Sequence, residues 1–185
     1  MLKDDYIKCE KINNVIYEQP PAEGFTHALV MGNVLFAIKS QLKGSEWIIT
    51  AGNFPLKLSA DEYAVPDIML FKGRQQITSE GYQGIPDFIA EIERPLTRAK
   101  DRTVKMNAYA KLGVEEYWLI DPTSKKIEIY YLQAGKYVLQ DSYVMEDNKK
   151  NPACSKEVSI SLKNVPAISM TIENVFYGIY AEDNQ

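Results

Sequence analysis

Histidine is nearly missing from this sequence, which has a single residue of that type, His27. Only two cysteines occur, Cys9 and Cys154, and they lie far apart without a Cys-x-x-Cys spacing. Zinc sites need clusters of cysteine and histidine at short spacings, so we expect no zinc centre. The cysteines are expected to be free thiols in a reducing compartment.

Long hydrophobic runs are also missing. The longest uncharged stretch, residues 24–38, includes His27 and Asn33 and is too short and too polar to span a bilayer. We expect a core helix there. The first six residues carry charge where the apolar part of a signal peptide would begin. These features predict a cytoplasmic protein.

The sequence has no excess of positive charge, since its formal net charge is −4. That balance does not favour nucleic-acid binding over the whole surface. Residues 94–111 differ, because they contain six lysines or arginines and one acidic residue, Asp101. This basic segment is either a solvated helix face or a surface for an anionic partner. A glycine-rich phosphate loop is not found.

Hydrophobic patterning predicts an α+β fold in a single domain over residues 1–185, with a mixed central sheet, flanking helices and an added β-hairpin. Gly113 is expected to end the middle helix, and Thr97 to cap its start. The predicted strands are 14–19, 47–50, 54–58, 64–71, 85–93, 116–121, 126–132, 136–143 and 158–162, and the predicted helices are 25–42, 97–112 and 172–180.

Three carboxylates occupy informative positions in these strands. Asp67 lies near the start of one strand, and Glu91 lies in the next. Glu93 follows two positions later, so it points to the same face as Glu91. If the two strands pair, Asp67 approaches Glu91. Such oxygen ligands suit Mg²⁺, although ion pairs or solvated strand ends would give the same pattern.

Other polar residues have weaker claims to a functional role. His27 is either a structural or capping group among apolar neighbours, or it approaches the metal site from the first helix. Glu18 has a similarly weak claim to a functional role. Asp121 precedes Pro122 and favours a turn. The tryptophans and most tyrosines are typical of a core or an interface.

Several segments together resemble the Uma-type restriction endonuclease family, which is abundant in cyanobacteria. They are Pro66-Asp67-Ile68, residues 86–92 and, most specifically, residues 101–122. The region around His27 is similar to the family's N-terminal part, and the similarity covers most of residues 14–145. The family belongs to the PD-(D/E)XK nuclease superfamily.

The resemblance implies a restriction-endonuclease-like core and a phosphodiesterase site that uses Mg²⁺, or Mn²⁺ as a substitute. Asp67 and Glu91 match the two acidic motif positions. The superfamily lysine would fall at position 93, where this chain has Glu93. Lys105, in the following helix, matches the lysine instead. It would hold the attacking water or stabilise the phosphate, unless it only pairs with Asp101.

Two functions follow as alternatives. The first is a DNA endonuclease with Asp67, Glu91, Glu93 and Lys105 as catalytic residues, the first three being metal ligands. The second is a weakened nuclease-fold module that binds nucleic acid or protein, because Glu93 replaces the expected lysine. A homodimer through the apolar hairpin strand 127–132 is compatible with either, since cutting both DNA strands suits two active sites.

Overall fold

A computed structural model describes residues 9–18, 24–145 and 156–180. The strands are β1 (Cys9–Ile12), β2 (Val15–Glu18), β3 (Trp47–Ala51), β4 (Leu56–Lys57), β5 (Tyr63–Ala64), β6 (Ile68–Lys72), β7 (Ile77–Thr78), β8 (Gly81–Tyr82), β9 (Phe88–Ile92), β10 (Glu116–Asp121), β11 (Lys126–Gln133), β12 (Lys136–Val144), β13 (Ser159–Ser161) and β14 (Ser169–Thr171). The helices are α1 (Phe25–Lys39), α2 (Arg98–Lys100), α3 (Met106–Leu112) and α4 (Ile172–Phe176), and a π-helical turn (Asp101–Lys105) joins α2 to α3.

A six-stranded mixed sheet, in the order β12-β11-β10-β9-β6-β3, forms the centre of the fold. Strands β9 and β10 run parallel, and the other neighbours are antiparallel. Two parallel strands need a crossover connection, which α2, the π-helical turn and α3 supply here. The sequence prediction of an α+β fold with a mixed sheet and a β-hairpin is confirmed.

Alternate residues of the central strands point into two different hydrophobic cores. One core contains Phe88 and Trp118 and packs against α1 and α4. The other contains Ile89 and Tyr117 and packs under the second six-stranded sheet, in the order β2-β1-β5-β4-β8-β7. Because side chains alternate along a strand, β9 and β10 are buried on both faces.

The structure divides two predicted elements. The strand expected over residues 64–71 is broken into β5 and β6 around Pro66, which has no N–H group for a ladder hydrogen bond. The connection expected over residues 72–84 contains the short strands β7 and β8. Strand β10 coincides with its prediction, and α1 ends at Lys39 instead of residue 42.

The predicted middle helix is present as α2, the π-helical turn and α3. Gly113 ends it with a φ of 100°, in the left-handed region that favours glycine. Thr97 occupies the N-cap position, as predicted, but its side chain makes no capping hydrogen bond there. The π-helical turn was not predicted, and it buries the side chains of Asp101 and Lys105.

The hairpin strand that was expected to form a dimer interface is largely enclosed within the chain. Ile127 and Ile129 of β11 belong to the core, because β11 lies between β10 and β12. The exposed apolar residues of the hairpin are Val138 and Leu139 on β12. A contact through residues 127–132 would therefore have to use β12 as well.

Two other sequence expectations bear on the described chain. Cys9 is a free thiol, while Cys154 lies outside the described residues. Within residues 9–18, 24–145 and 156–180, none of the helices combines the length and apolar character that crossing a membrane requires.

Buried Glu116 makes folding stability depend on pH. Its carboxylate accepts hydrogen bonds from Trp118 Nε1 and from the Lys163 N–H, both at 2.8 Å. Burial outweighs these bonds and raises the pKa of Glu116 from 4.5 to about 7. The folded state therefore holds this proton more tightly than the unfolded chain, so the stabilisation present below pH 4.5 is lost as pH rises to about 7.

We expect this group to cost about 3 kcal/mol of unfolding free energy between those two pH values. Urea denaturation at pH 5 and pH 8 measures this change in unfolding free energy. Glu116→Gln should reduce the difference between the two pH values. An equal pH dependence in wild type and Glu116→Gln would contradict the assignment.

Candidate active site

Strand register brings Asp67 and Glu91 together. In the antiparallel pair of β6 and β9, Ile68 lies opposite Ala90 and Met69 opposite Ile89, so Asp67, one residue before β6, lies opposite Glu91. The Asp67 N–H donates to Oε2 of Glu91 at 3.4 Å. The predicted approach of these two carboxylates is thus found in the structure.

Asp67 is held at the end of strand β6 by two neighbours, the Ile92 N–H and the His27 ring. Its Oδ2 accepts from the Ile92 N–H at 2.8 Å and lies 3.1 Å from His27 Nε2. Burial by itself raises the pKa of Asp67, but His27, Lys105 and the Ile92 N–H together hold that pKa below its usual value. His27 therefore approaches the site from α1, one of the two alternatives left open by the sequence.

Glu91 lies deeper, at 1% exposure. Its Oε1 accepts from Lys105 Nζ at 2.9 Å and from the Tyr109 hydroxyl at 2.7 Å. Burial raises the pKa of Glu91, Lys105 lowers it, and neighbouring carboxylates, Asp67 first among them, raise it again. The pKa of Glu91 consequently lies well above its usual value, so any positive ligand in the cleft would favour its ionised form.

Lys105 stands among carboxylates. Its Nζ lies 2.9 Å from Glu91, 3.1 Å from Glu10 and 3.8 Å from Asp101. Burial lowers the pKa of Lys105, but these carboxylates outweigh burial and raise it well above the usual value. Lys105 is therefore a permanent cation at neutral pH, and its contacts extend beyond the simple pair with Asp101.

Glu10 is a site residue that sequence reasoning missed. Its side chain is fully buried on β1, accepts from the Val65 N–H at 2.8 Å and pairs with Lys100 and Lys105. Burial raises the pKa of Glu10, but the two lysines and the Val65 N–H lower it below the usual value. The residue considered instead, Glu18, is exposed on β2.

Glu93 does not join Asp67 and Glu91. Its carboxylate is buried and accepts from Arg102 at 2.5 Å (Nε) and 2.9 Å (Nη2), while Arg98 lies 3.5 Å away. Strand β9 ends at Ile92, and Glu93 belongs to an ion pair beside the cleft instead of lining it. Among the described residues no group of three or more His, Cys, Asp or Glu side chains is arranged to hold a metal, and the structure does not bring Glu93 together with Asp67 and Glu91.

A narrow cleft with room for about one water molecule lies over the remaining residues. Its lining is Val65, Asp67, Glu91, Arg94, Thr97, Lys100, Asp101 and Lys105. Mg²⁺ is typically held by one or two carboxylates together with water and substrate oxygens. Asp67 and Glu91 fit that requirement as two carboxylates from opposite strands that line the same cleft. Asp121 lies outside the cleft. Its carboxylate pairs with Arg98 and accepts a hydrogen bond from the Thr123 N–H in the following turn.

The sheet, the crossover helices and the acidic cleft define the class of protein as a restriction-endonuclease-like fold. The family model Uma2, described as "Putative restriction endonuclease", matches residues 2–163. The chain therefore belongs to this family.

A crystal structure from Anabaena variabilis, described as "a putative nuclease belonging to DUF820", is similar in fold. The TM-score is 0.71 and the identity 20%, over 95% of this chain and 93% of that one. At this identity the likeness supports the fold alone. Curated proteins give no match to the sequence.

Proposed function

We propose that this protein is a metal-dependent endonuclease that hydrolyses phosphodiester bonds in DNA in the cytoplasm. The observation that carries the proposal is the placement of Asp67 opposite Glu91 at the cleft, with Lys105 2.9 Å from Glu91. Membership of a family described as restriction endonucleases supports a nucleic-acid substrate. A homodimer would suit cleavage of both strands.

Each site residue has a distinct task in this proposal. Asp67 and Glu91 would hold Mg²⁺, which when bound lowers the pKa of a water nucleophile and offsets negative charge on the phosphate. Tyr109 and Lys105 fix Oε1 of Glu91, which orients the carboxylate. Because Lys105 keeps its proton, it supplies positive charge beside the cleft and is not a general base.

A nuclease-fold module without catalysis is the second candidate. It is favoured by Glu93, which fills the usual lysine slot and is bound by Arg102. It is also favoured by Lys105, which is buried among three carboxylates. Calorimetric titration with Mg²⁺ and Mn²⁺ separates the candidates, since a module of this kind would show no binding at millimolar metal.

The test of the endonuclease proposal is cleavage of supercoiled plasmid with Mg²⁺, with Mn²⁺ and with EDTA. We expect cleavage with either metal, none with EDTA, and a loss of about 10³-fold in Asp67→Asn, because a metal ligand contributes several kcal/mol to the barrier. The matched control is Asp61→Asn, whose carboxylate is exposed and pairs with Lys11. Equal rates for Asp67→Asn and Asp61→Asn, or cleavage in EDTA, would refute the proposal.

A further inference from the structure

Of the cations that line the cleft within the described residues, Arg94 differs from the rest. Lys100 pairs with Glu10, and Lys105 contacts Glu91 and Glu10. Arg94 has no carboxylate within ion-pair distance among the described residues, and its buried Nε lacks a hydrogen-bond acceptor there. A buried donor without an acceptor is unfavourable, and a ligand with acceptor oxygens would satisfy it.

The backbone holds Arg94 at the cleft. Its carbonyl oxygen accepts from the N–H groups of Thr97 at 3.0 Å and Arg98 at 2.8 Å, and Pro95 restricts the turn between them. Arg98 and Arg102, farther along the same segment, are already paired with Glu93. Four cations of this basic segment are thus paired within the chain, and among the described residues only Arg94 and the exposed Lys111 have no ion pair.

We propose that Arg94 is the phosphate-binding residue of this cleft, whose guanidinium donates to a backbone phosphate oxygen of the bound nucleic acid. A guanidinium offers several donors in a planar fork that matches phosphate oxygens. The cleft also contains the carboxylates Asp67, Glu91 and Asp101, which repel a phosphate. A free cation at the rim offsets that repulsion and fixes where the phosphate lies. This inference rests on the proposed function, because it names the group that receives the substrate.

The test is the affinity for a fluorescein-labelled DNA duplex, measured by fluorescence anisotropy in Ca²⁺, with a gel to check that the probe stays intact. We expect Arg94→Gln to weaken binding about tenfold and to lower the slope of log affinity against log salt by about one. The control Arg74→Gln removes one exposed charge outside the cleft and should change affinity less than about twofold.

Arg94→Lys gives a second measurement if Arg94→Gln lowers the unfolding temperature. It keeps the charge, so the salt slope should stay near the wild-type value while affinity falls because the fork is lost. Equal affinities for the position-94 and position-74 variants, in a wild type that binds and cleaves DNA, would overturn the role of Arg94 alone. A wild type that neither binds nor cleaves DNA would overturn the proposed function and this inference with it.

Discussion

Replacing Lys105 with methionine is expected to lower the free energy of unfolding by about 3–5 kcal/mol at neutral pH. The change removes the cation that lies within 4 Å of Glu91, Glu10 and Asp101 while leaving all three carboxylates buried. The folded pKa of Lys105 lies above its unfolded value, so its stabilisation is fully present below pH 10.5 and is lost only as pH rises through the folded pKa.

Urea denaturation at pH 8 and pH 5 measures this effect. The loss should shrink at pH 5, because Glu91 and Asp101 have raised pKa values and take up protons once the cation is gone. The control Lys111→Met removes an exposed lysine from α3 and should stay within about 0.5 kcal/mol of wild type. A Lys105→Met variant as stable as Lys111→Met at pH 8 would show that the buried carboxylates do not need this cation.

The meeting of Asp67 and Glu91 was predictable because local patterns determine it. Both residues lie in or next to an apolar strand segment, and a one-residue slip between β6 and β9 would exchange side chains between two cores that have different packing partners. Burial on both sides of the sheet therefore fixes the register, and the register fixes the carboxylates. The contact between Lys105 and Asp101 was predictable for a similar reason, since residues four apart share a helix face.

The position of Glu93 was not predictable from the same pattern. Alternation holds only while the strand lasts, and β9 ends at Ile92, one residue earlier. Beyond that point the direction of the Glu93 side chain is set by the nearest positive charges. These come from Arg98 and Arg102 on the following helical segment. Their spacing of four residues was the available signal, but a contact between segments cannot be assigned from spacing alone.

Glu10 was missed for a different reason. Strand β1 has only four residues, too few to show a clear period, and the contacts of Glu10 are all distant in sequence. A signal was present in Asn13-Asn14, whose φ values of 53° and 60° form the hairpin turn between β1 and β2. Paired left-handed residues favour a two-residue hairpin, which would have placed Glu10 on a strand.

Glu91→Gln is expected to separate activity from stability. Cleavage should fall at least about 10³-fold, because the neutral amide is a poor ligand for Mg²⁺. Without metal at pH 8, however, the variant should be at least as stable as wild type. Burial and neighbouring carboxylates raise the folded pKa of Glu91, so its ionisation costs wild-type stability as pH rises through that value. The amide has no such cost, and Lys105 keeps Glu10 and Asp101 as charged partners.

Thermal unfolding with EDTA and with Mg²⁺, together with plasmid cleavage, tests both parts. Wild type should gain about 2.7 kcal/mol when Mg²⁺ reaches 100 times its dissociation constant, and Glu91→Gln should gain almost nothing. Glu116→Gln is the matched control, since Glu116 is also buried and also has a raised pKa. Its side chain lies with Trp118 on the other face of the sheet from Glu91. It should keep both cleavage and the Mg²⁺ response. If Glu91→Gln kept them as well, Glu91 would not be a metal ligand, and its raised pKa would reflect burial alone.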